Sequence, residues 1–181
     1  TKLFYTKEIA KSHRIDWRIL MPEETYTPSF HEVLSKLGKI KTKKDKVTYL
    51  KEHNTDSLRM IIKASFDPKI RWLLPVGEVP YTMNEAPEGT EHSDLSYEAR
   101  KLYHYIEGGN NSLQQNRREM MFVQLLESLH PDEADLLVAA KDKILHQKYK
   151  GLSKNVVMEA FDWNDEFTVI GDTYQELPRT G

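Results

Sequence analysis

The sequence predicts a mainly α fold, a compact bundle of six to seven helices between an irregular N-terminal arm and a C-terminal tail. Apolar residues recur at helical spacing through most of residues 29–161. Serine, threonine or proline precedes most of these segments, and glycine or proline follows several of them, as is typical of helix boundaries. After Ser29 no segment shows the strict alternation that indicates a strand.

The chain is expected to divide into three regions. Residues 1–28 form an N-terminal arm or extension, residues 29–161 form the helical domain, and residues 162–181 form a C-terminal tail. A chain of 181 residues is long enough to bury one apolar core. The arm holds two short apolar runs and two prolines, and it does not begin with Met, which indicates processing or trimming of this end.

Seven segments of the domain are predicted as helices by their apolar spacing and their boundary residues. They cover residues 30–37, 43–53, 56–66, 95–106, 112–129, 131 to about 148, and 154–161. Their expected start signals include Ser29, Thr42 with Asp45 as a capping box, either Asn54 or Thr55, and Pro131 in a first turn. Residues 69–94, which are rich in proline and glycine, are expected to form a long irregular segment.

Composition excludes several classes of protein. Without cysteine the chain has no disulfide, no thiolate metal site and no cysteine nucleophile. No apolar run approaches the length of a membrane span, and the N-terminal residues lack the layout of a signal peptide, so we expect a soluble intracellular protein without a membrane contact. The net charge of −2 argues against a protein that is basic over its whole surface.

The sequence contains no recognisable catalytic constellation. Nucleotide-binding glycine motifs, a Gly-x-Ser-x-Gly elbow and His-Glu-x-x-His are all absent. The seven histidines show no metal-ligand spacing, and a structural role suits His104 better than a catalytic one. The acidic residues near Pro131 are explained by the start of a helix. We therefore expect no enzyme activity, no catalytic residue, no metal and no cofactor.

A candidate phosphate-binding element lies between the last two predicted helices, at residues 148–154, which we call the Gly151 turn. Gly151 is expected to end one helix with a positive φ, and Ser153 to cap the next. Free N–H groups at a helix start, with lysines beside them, suit a phosphate. The candidate contacts of this turn are Lys148, Lys150, Gly151, Leu152, Ser153 and Lys154. The alternative is an ordinary helix–turn–helix connection with solvated lysines.

Two further sets of candidates complete the sequence-based prediction of sites. Seven lysines between residues 36 and 51, Lys41, Lys43 and Lys44 among them, form a second candidate surface for DNA, and Arg117 and Arg118 are additional candidates. Trp163 and Phe167 stand in an acidic setting and would suit either a docking motif for a partner or a segment that folds back over the last helix. Trp17 is a partner-binding candidate in the arm.

The residues from Lys150 to Phe161 carry a resemblance to a known family. A basic residue, Gly-Leu, a polar residue and a helix with Val and Ala resemble the end of the helical N-terminal DNA-binding domain of ATP-dependent DNA ligases, phage ligases included. The preceding order of helices is similar. The resemblance implies contact with the duplex backbone across the minor groove at the Gly151 turn. The Lys-x-Asp-Gly motif of ligases is absent, so nick sealing by that chemistry is excluded.

The central residues, notably Trp72-Leu73-Leu74-Pro75 and Gly108-Gly109-Asn110, resemble small uncharacterised proteins of large tailed bacteriophages. The resemblances together imply a non-catalytic, sequence-tolerant DNA-binding accessory protein, located in the cytoplasm of the infected host or in the virion. The alternative is a virion structural or protein-interaction module that binds phage or host proteins through its terminal extensions. The closing Leu-Pro-Arg-Thr-Gly matches a sorting pattern, which we interpret as coincidence or an engineered end.

Overall fold

The computed structural model describes residues 26–87 and 90–170. In these ranges it contains eight α-helices, one 3-10 helix and no strand, which confirms the predicted mainly α class. The α-helices are α1 Phe30–Lys39, α2 Lys43–Glu52, α3 Asp56–Phe66, α4 Leu95–Glu98, α5 Gln115–Ser128, α6 Pro131–Lys141, α7 Leu145–Lys148 and α8 Lys154–Phe161. The 3-10 helix, Ala99–Tyr105, follows α4 directly. None of the helices in the described part is long and apolar enough to cross a membrane.

Local hydrogen bonds at the helix starts follow the predicted pattern. The side chains of Ser29, Thr42 and Thr55 accept hydrogen bonds from the backbone N–H three residues later. Pro131 occupies the first turn of α6, where its missing N–H costs nothing. These signals involve only neighbouring residues, so the sequence was sufficient to predict them.

Helix α3 lies at the centre of the core. It packs against α4, the 3-10 helix, α6 and α7, while α1 contacts α2 and α6. The irregular segment after α3 is fastened to this core, because Trp72 is buried and its Nε1 donates a hydrogen bond to the Ala64 carbonyl at 2.9 Å. Leu73 N also donates to the Tyr105 carbonyl at 2.8 Å, so the segment runs beside the 3-10 helix.

The segment 95–106 differs from the predicted α-helix. Only its first four residues are α-helical, and the next seven form a 3-10 helix. The buried residues Ala99, Leu102 and Tyr105 are spaced by three, which matches the three residues per turn of a 3-10 helix. A period of three and a period of 3.6 residues are hard to distinguish over so short a segment, which is why the apolar spacing predicted an α-helix there.

Three other predicted boundaries are wrong. α1 continues through Gly38, which does not have a positive φ. α5 begins at Gln115 instead of near Ser112. The helix that begins at Pro131 ends at Lys141 and does not continue to about residue 148. Lys143 has a positive φ of 58, which interrupts the helical backbone before α7. Ile144, which the continuous apolar spacing of this segment would place in the core, is 39% exposed.

Candidate nucleic-acid interface

The fold brings together the two basic segments that the sequence predicted separately. α8 packs against α2, and the Gly151 turn lies against the end of α1. A Cβ atom at residue 151 would stand 2.6 Å from the carbonyl oxygen of Leu37 and 2.7 Å from the nitrogen of Gly38. The two connections, α1 to α2 and α7 to α8, therefore touch through their backbones.

This contact corrects the predicted role of Gly151. Its φ is not positive, so the residue does not serve as a left-handed helix cap. Glycine is required because any side chain would collide with the α1 backbone. Gly151 is buried and does not face solvent. Its contribution to a binding surface is to let two basic connections meet.

The lysines near this contact form what we call the lysine surface. They are the lysines of residues 39–44 and 148–154, and all are exposed: Lys39, Lys41, Lys43, Lys44, Lys148, Lys150 and Lys154. Lys43 pairs with Glu159 of α8, with 2.7 Å between Nζ and Oε2. Within residues 26–87 and 90–170, no carboxylate oxygen lies within 4.0 Å of the ammonium group of the other six. Six lysine ammonium groups of this surface are therefore available to the phosphate groups of a polyanion.

Lys43 and Glu159 also join α2 to α8. The Lys43 ammonium, through its hydrogen bond and its charge, lowers the pKa of the Glu159 carboxyl. Both side chains are more than half exposed, so this pair contributes little to stability. Its effect on the lysine surface is to neutralise one of the seven cations.

Two helices begin at the lysine surface. The hydroxyl of Ser153 accepts a hydrogen bond from Val156 N at 3.3 Å and caps α8, as predicted. The first turn of α8 contains no acidic residue, and no hydrogen bond from the N–H groups of Lys154 or Asn155 to the described residues is present. These donors and the positive end of the helix dipole are available to an anion.

Tyr149 anchors the Gly151 turn from inside. It is buried, and its hydroxyl forms a 2.7 Å hydrogen bond with Nδ1 of His31 on α1. Burial, followed by the charge of Asp132, raises the pKa of the Tyr149 hydroxyl above its usual value. The flanking Lys148 and Lys150 are exposed on either side of this anchor. The buried Tyr149 side chain therefore fixes the Gly151 turn against α1, and the lysines on either side of it face solvent.

Besides Gly151, two predicted DNA-binding residues are placed where they cannot contact DNA. Leu152 is 1% exposed and belongs to the core, so it positions the turn without facing solvent. Arg118 is buried in α5, where its guanidinium donates to the carbonyls of His104, Asn110 and Leu113 and to Gln115 Oε1. These hydrogen bonds fix the segment that connects the 3-10 helix to α5. Arg117 is exposed but lies on α5, outside the lysine surface.

The predicted partner-binding aromatics also require correction. Trp163 and Phe167 are both buried, and their rings pack in a row with Phe161, with centroids 4.9 and 6.0 Å apart. The segment folds back over the end of α8, so the fold-back alternative is correct and the docking motif is not. Trp17 lies outside the described residues.

Sequence reasoning missed how the two basic segments pack. Gly38 and Gly151 face one another, since a Cβ on Gly38 would stand 3.9 Å from Gly151 N. The signal that the sequence offered for this contact was the presence of one glycine, Gly38 or Gly151, near each basic connection. Nothing in the local sequence showed that these two glycines meet.

Comparison with known proteins identifies a family. Residues 33–147 match the model of DUF6433, a family of unknown function, and the protein belongs to this family because the match covers more than half of the chain. The matched residues run from α1 into α7 and end before the Gly151 turn. The chain matches no curated protein and no solved structure.

Proposed function

We propose that this protein is a non-catalytic, sequence-tolerant DNA-binding accessory protein of a bacteriophage, acting in the infected cell or in the virion. The observation that carries the DNA-binding proposal is the backbone contact of Gly151 with Leu37 and Gly38, which joins two basic connections into one surface. The phage origin rests on the resemblance of the central residues to phage proteins. Membership of DUF6433 adds no activity to this proposal.

The chemistry of the lysine surface favours phosphate over bases. All its cations are lysines, which bind phosphate as point charges and lack the planar fork of arginine that pairs with guanine. None of the large exposed apolar side chains of the described residues belongs to it, so single-stranded bases would find no ring on which to stack. Contact with the duplex backbone, independent of sequence, is the mode that remains.

Anisotropy of labelled intact and nicked duplex DNA across a salt series tests this proposal. Four to six phosphate contacts would give a slope of log K against log salt of roughly −4 to −5. The variant Lys150→Glu/Lys154→Glu should lose most of the binding. Arg71→Glu/Lys101→Glu makes the same change in charge beside the 3-10 helix, outside the lysine surface, and should retain it. Absence of binding at low salt, or equal losses in the two variants, would refute the proposal.

A second candidate function, a protein-interaction module, is favoured by an apolar groove on another face. The groove has a volume of about 690 Å³ and lies between α5 and the proline-rich residues 74–80. Met120 on its wall is 56% exposed, and the neighbouring Val76 is 84% exposed. Glu78 and Glu119 are its carboxylates, while Lys141 is committed to the carbonyls of Pro75 and Gly77. An apolar segment of a phage or host protein, flanked by basic residues, is the complementary occupant.

Titration with an amphipathic leucine–lysine helical peptide tests the groove. This peptide should bind, and a leucine–glutamate peptide of the same length should not. Met120→Asp should abolish binding, whereas Met60→Asp, which changes an exposed methionine on α3, should not. Equal binding of the two peptides, or insensitivity to Met120→Asp, would remove this candidate. Unlike DNA binding by lysines, an apolar contact should change little with salt.

A further inference from the structure

A cavity of about 950 Å³ opens where several helices begin. The residues that cap α1, α3, α4 and α6 all form part of its wall: Ser29, Thr55, Asp94 and His130. Its volume falls in the range of small-molecule sites. The cavity plays no part in the proposed DNA binding.

The charge of the wall is negative. Six carboxylates contribute to it: Glu32, Glu91, Asp94, Glu98, Asp132 and Glu133. Among the described residues, Arg100 is the only arginine or lysine in this wall, and three histidines, His31, His92 and His130, also line it. Acidic residues at helix starts offset the helix dipoles. Six carboxylates nevertheless exceed one guanidinium and the partial charges of the helix ends, so an anion would be repelled.

Glu133 is the one carboxylate of the wall that is nine-tenths buried. Its side chain belongs to a residue only 6% exposed, in the first turn of α6. Oε2 accepts a hydrogen bond from the backbone N–H of Leu95 at 3.2 Å and so fixes the start of α4. No described residue donates a hydrogen bond to Oε1. A carboxylate at a cavity wall, with one oxygen held by a backbone N–H and the other without a donor among the described residues, is suited to a donor from a ligand.

We infer that this cavity binds an organic cation whose primary ammonium group donates a hydrogen bond to Glu133 Oε1. An ammonium group matches both the negative wall and the single open acceptor. A metal ion fits less well, because no group of three His, Cys, Asp or Glu side chains among the described residues is arranged to hold one. The ring of Tyr97, also in the wall, offers an aromatic surface for the ligand.

Proton release should accompany binding. Burial raises the pKa of the Glu133 carboxyl to about 7; the Leu95 N–H and His130 oppose this rise, and Asp94 and Glu91 add to it. An ammonium group binds the ionised form, so affinity should increase about tenfold from pH 6 to pH 8. His31, His92 and His130 also face the cavity. A variant of Glu133 isolates the contribution of this carboxyl from theirs.

Isothermal titration of the full chain with butane-1,4-diamine, at pH 6 and pH 8 and in two buffers of different ionisation enthalpy, tests the inference. Wild type should bind more tightly at pH 8 and release a proton near neutral pH. Glu133→Gln should weaken binding at pH 8 about tenfold or more and abolish the proton release. Its amide oxygen can still accept the Leu95 N–H, so the fold should persist, which circular dichroism checks. Glu52→Gln, an exposed change on α2, should behave as wild type.

Each of several results would overturn the inference. They are absence of binding heat at millimolar diamine, equal binding of the neutral butane-1,4-diol, and unchanged binding in Glu133→Gln. Preferential binding of succinate would show instead that the helix starts dominate the wall and select an anion.

Discussion

The backbones of Gly151 and Leu37 lie so close that a Cβ atom at residue 151 would stand 2.6 Å from the Leu37 carbonyl carbon and oxygen. Real Cβ atoms do not approach backbone atoms to that distance, so only glycine fits there. The contact fixes the Gly151 turn against α1 and thereby places Lys150 beside the basic connection from α1 to α2.

Gly151→Ala should lower the free energy of unfolding by about 1–3 kcal/mol, because the methyl group forces α1 and the turn apart. Gly38→Ala is the matched control. Its methyl group would stand 3.9 Å from Gly151 N, within a helix, and should leave stability unchanged or raise it by about 0.5–1 kcal/mol. Urea unfolding followed by circular dichroism measures both. Equal effects of the two substitutions would contradict the close contact.

Arg118→Ala should destabilise the protein by about 3 kcal/mol, because several carbonyls that accept from the guanidinium lose their donor in a buried site. Arg117→Ala, at the adjacent exposed position, should stay within about 0.5 kcal/mol of wild type. Thermal and urea unfolding of the two variants provide the comparison. A stable Arg118→Ala protein with weakened DNA binding would restore the sequence-based role of this residue.

Trp163→Ala should cost about 3–5 kcal/mol, because the indole is buried between Phe161 and Phe167. Ile170→Ala removes an apolar side chain that is 69% exposed and should have little effect. Chemical unfolding distinguishes them. A docking motif would give the opposite result, with unchanged stability and loss of a partner.

Glu133 should make stability depend on pH. Its folded pKa of about 7 lies above the ordinary value of 4.5, so the folded state binds the proton more tightly. The stability that it contributes is therefore fully present below pH 4.5 and is lost as pH rises through about 7. The difference in unfolding free energy between wild type and Glu133→Gln should fall by about 3 kcal/mol from pH 4 to pH 8. A constant difference in urea titrations would show that Glu133 is not desolvated.

Local signals accounted for most of the helices. Ser29, Thr42, Thr55 and Ser153 cap the helices that follow them, because a hydroxyl and an N–H three residues later interact within one turn. The apolar spacing did not predict the type of helix where the helix is more tightly wound than an α-helix. Over residues 99–105 the spacing of three belongs to a 3-10 helix that packs on α3 and α5.

The sequence by itself determined the helical class, the capped helix starts and the presence of two basic segments, since these depend on neighbouring residues. Tertiary structure alone decided which of the predicted residues face solvent. It buried Leu152, Arg118, Trp163 and Phe167, and it brought Gly151 against Leu37, because burial and backbone contact arise between residues far apart in the chain. The same long-range packing assembled the cavity around Glu133 from four separate helix starts, which no local pattern could reveal.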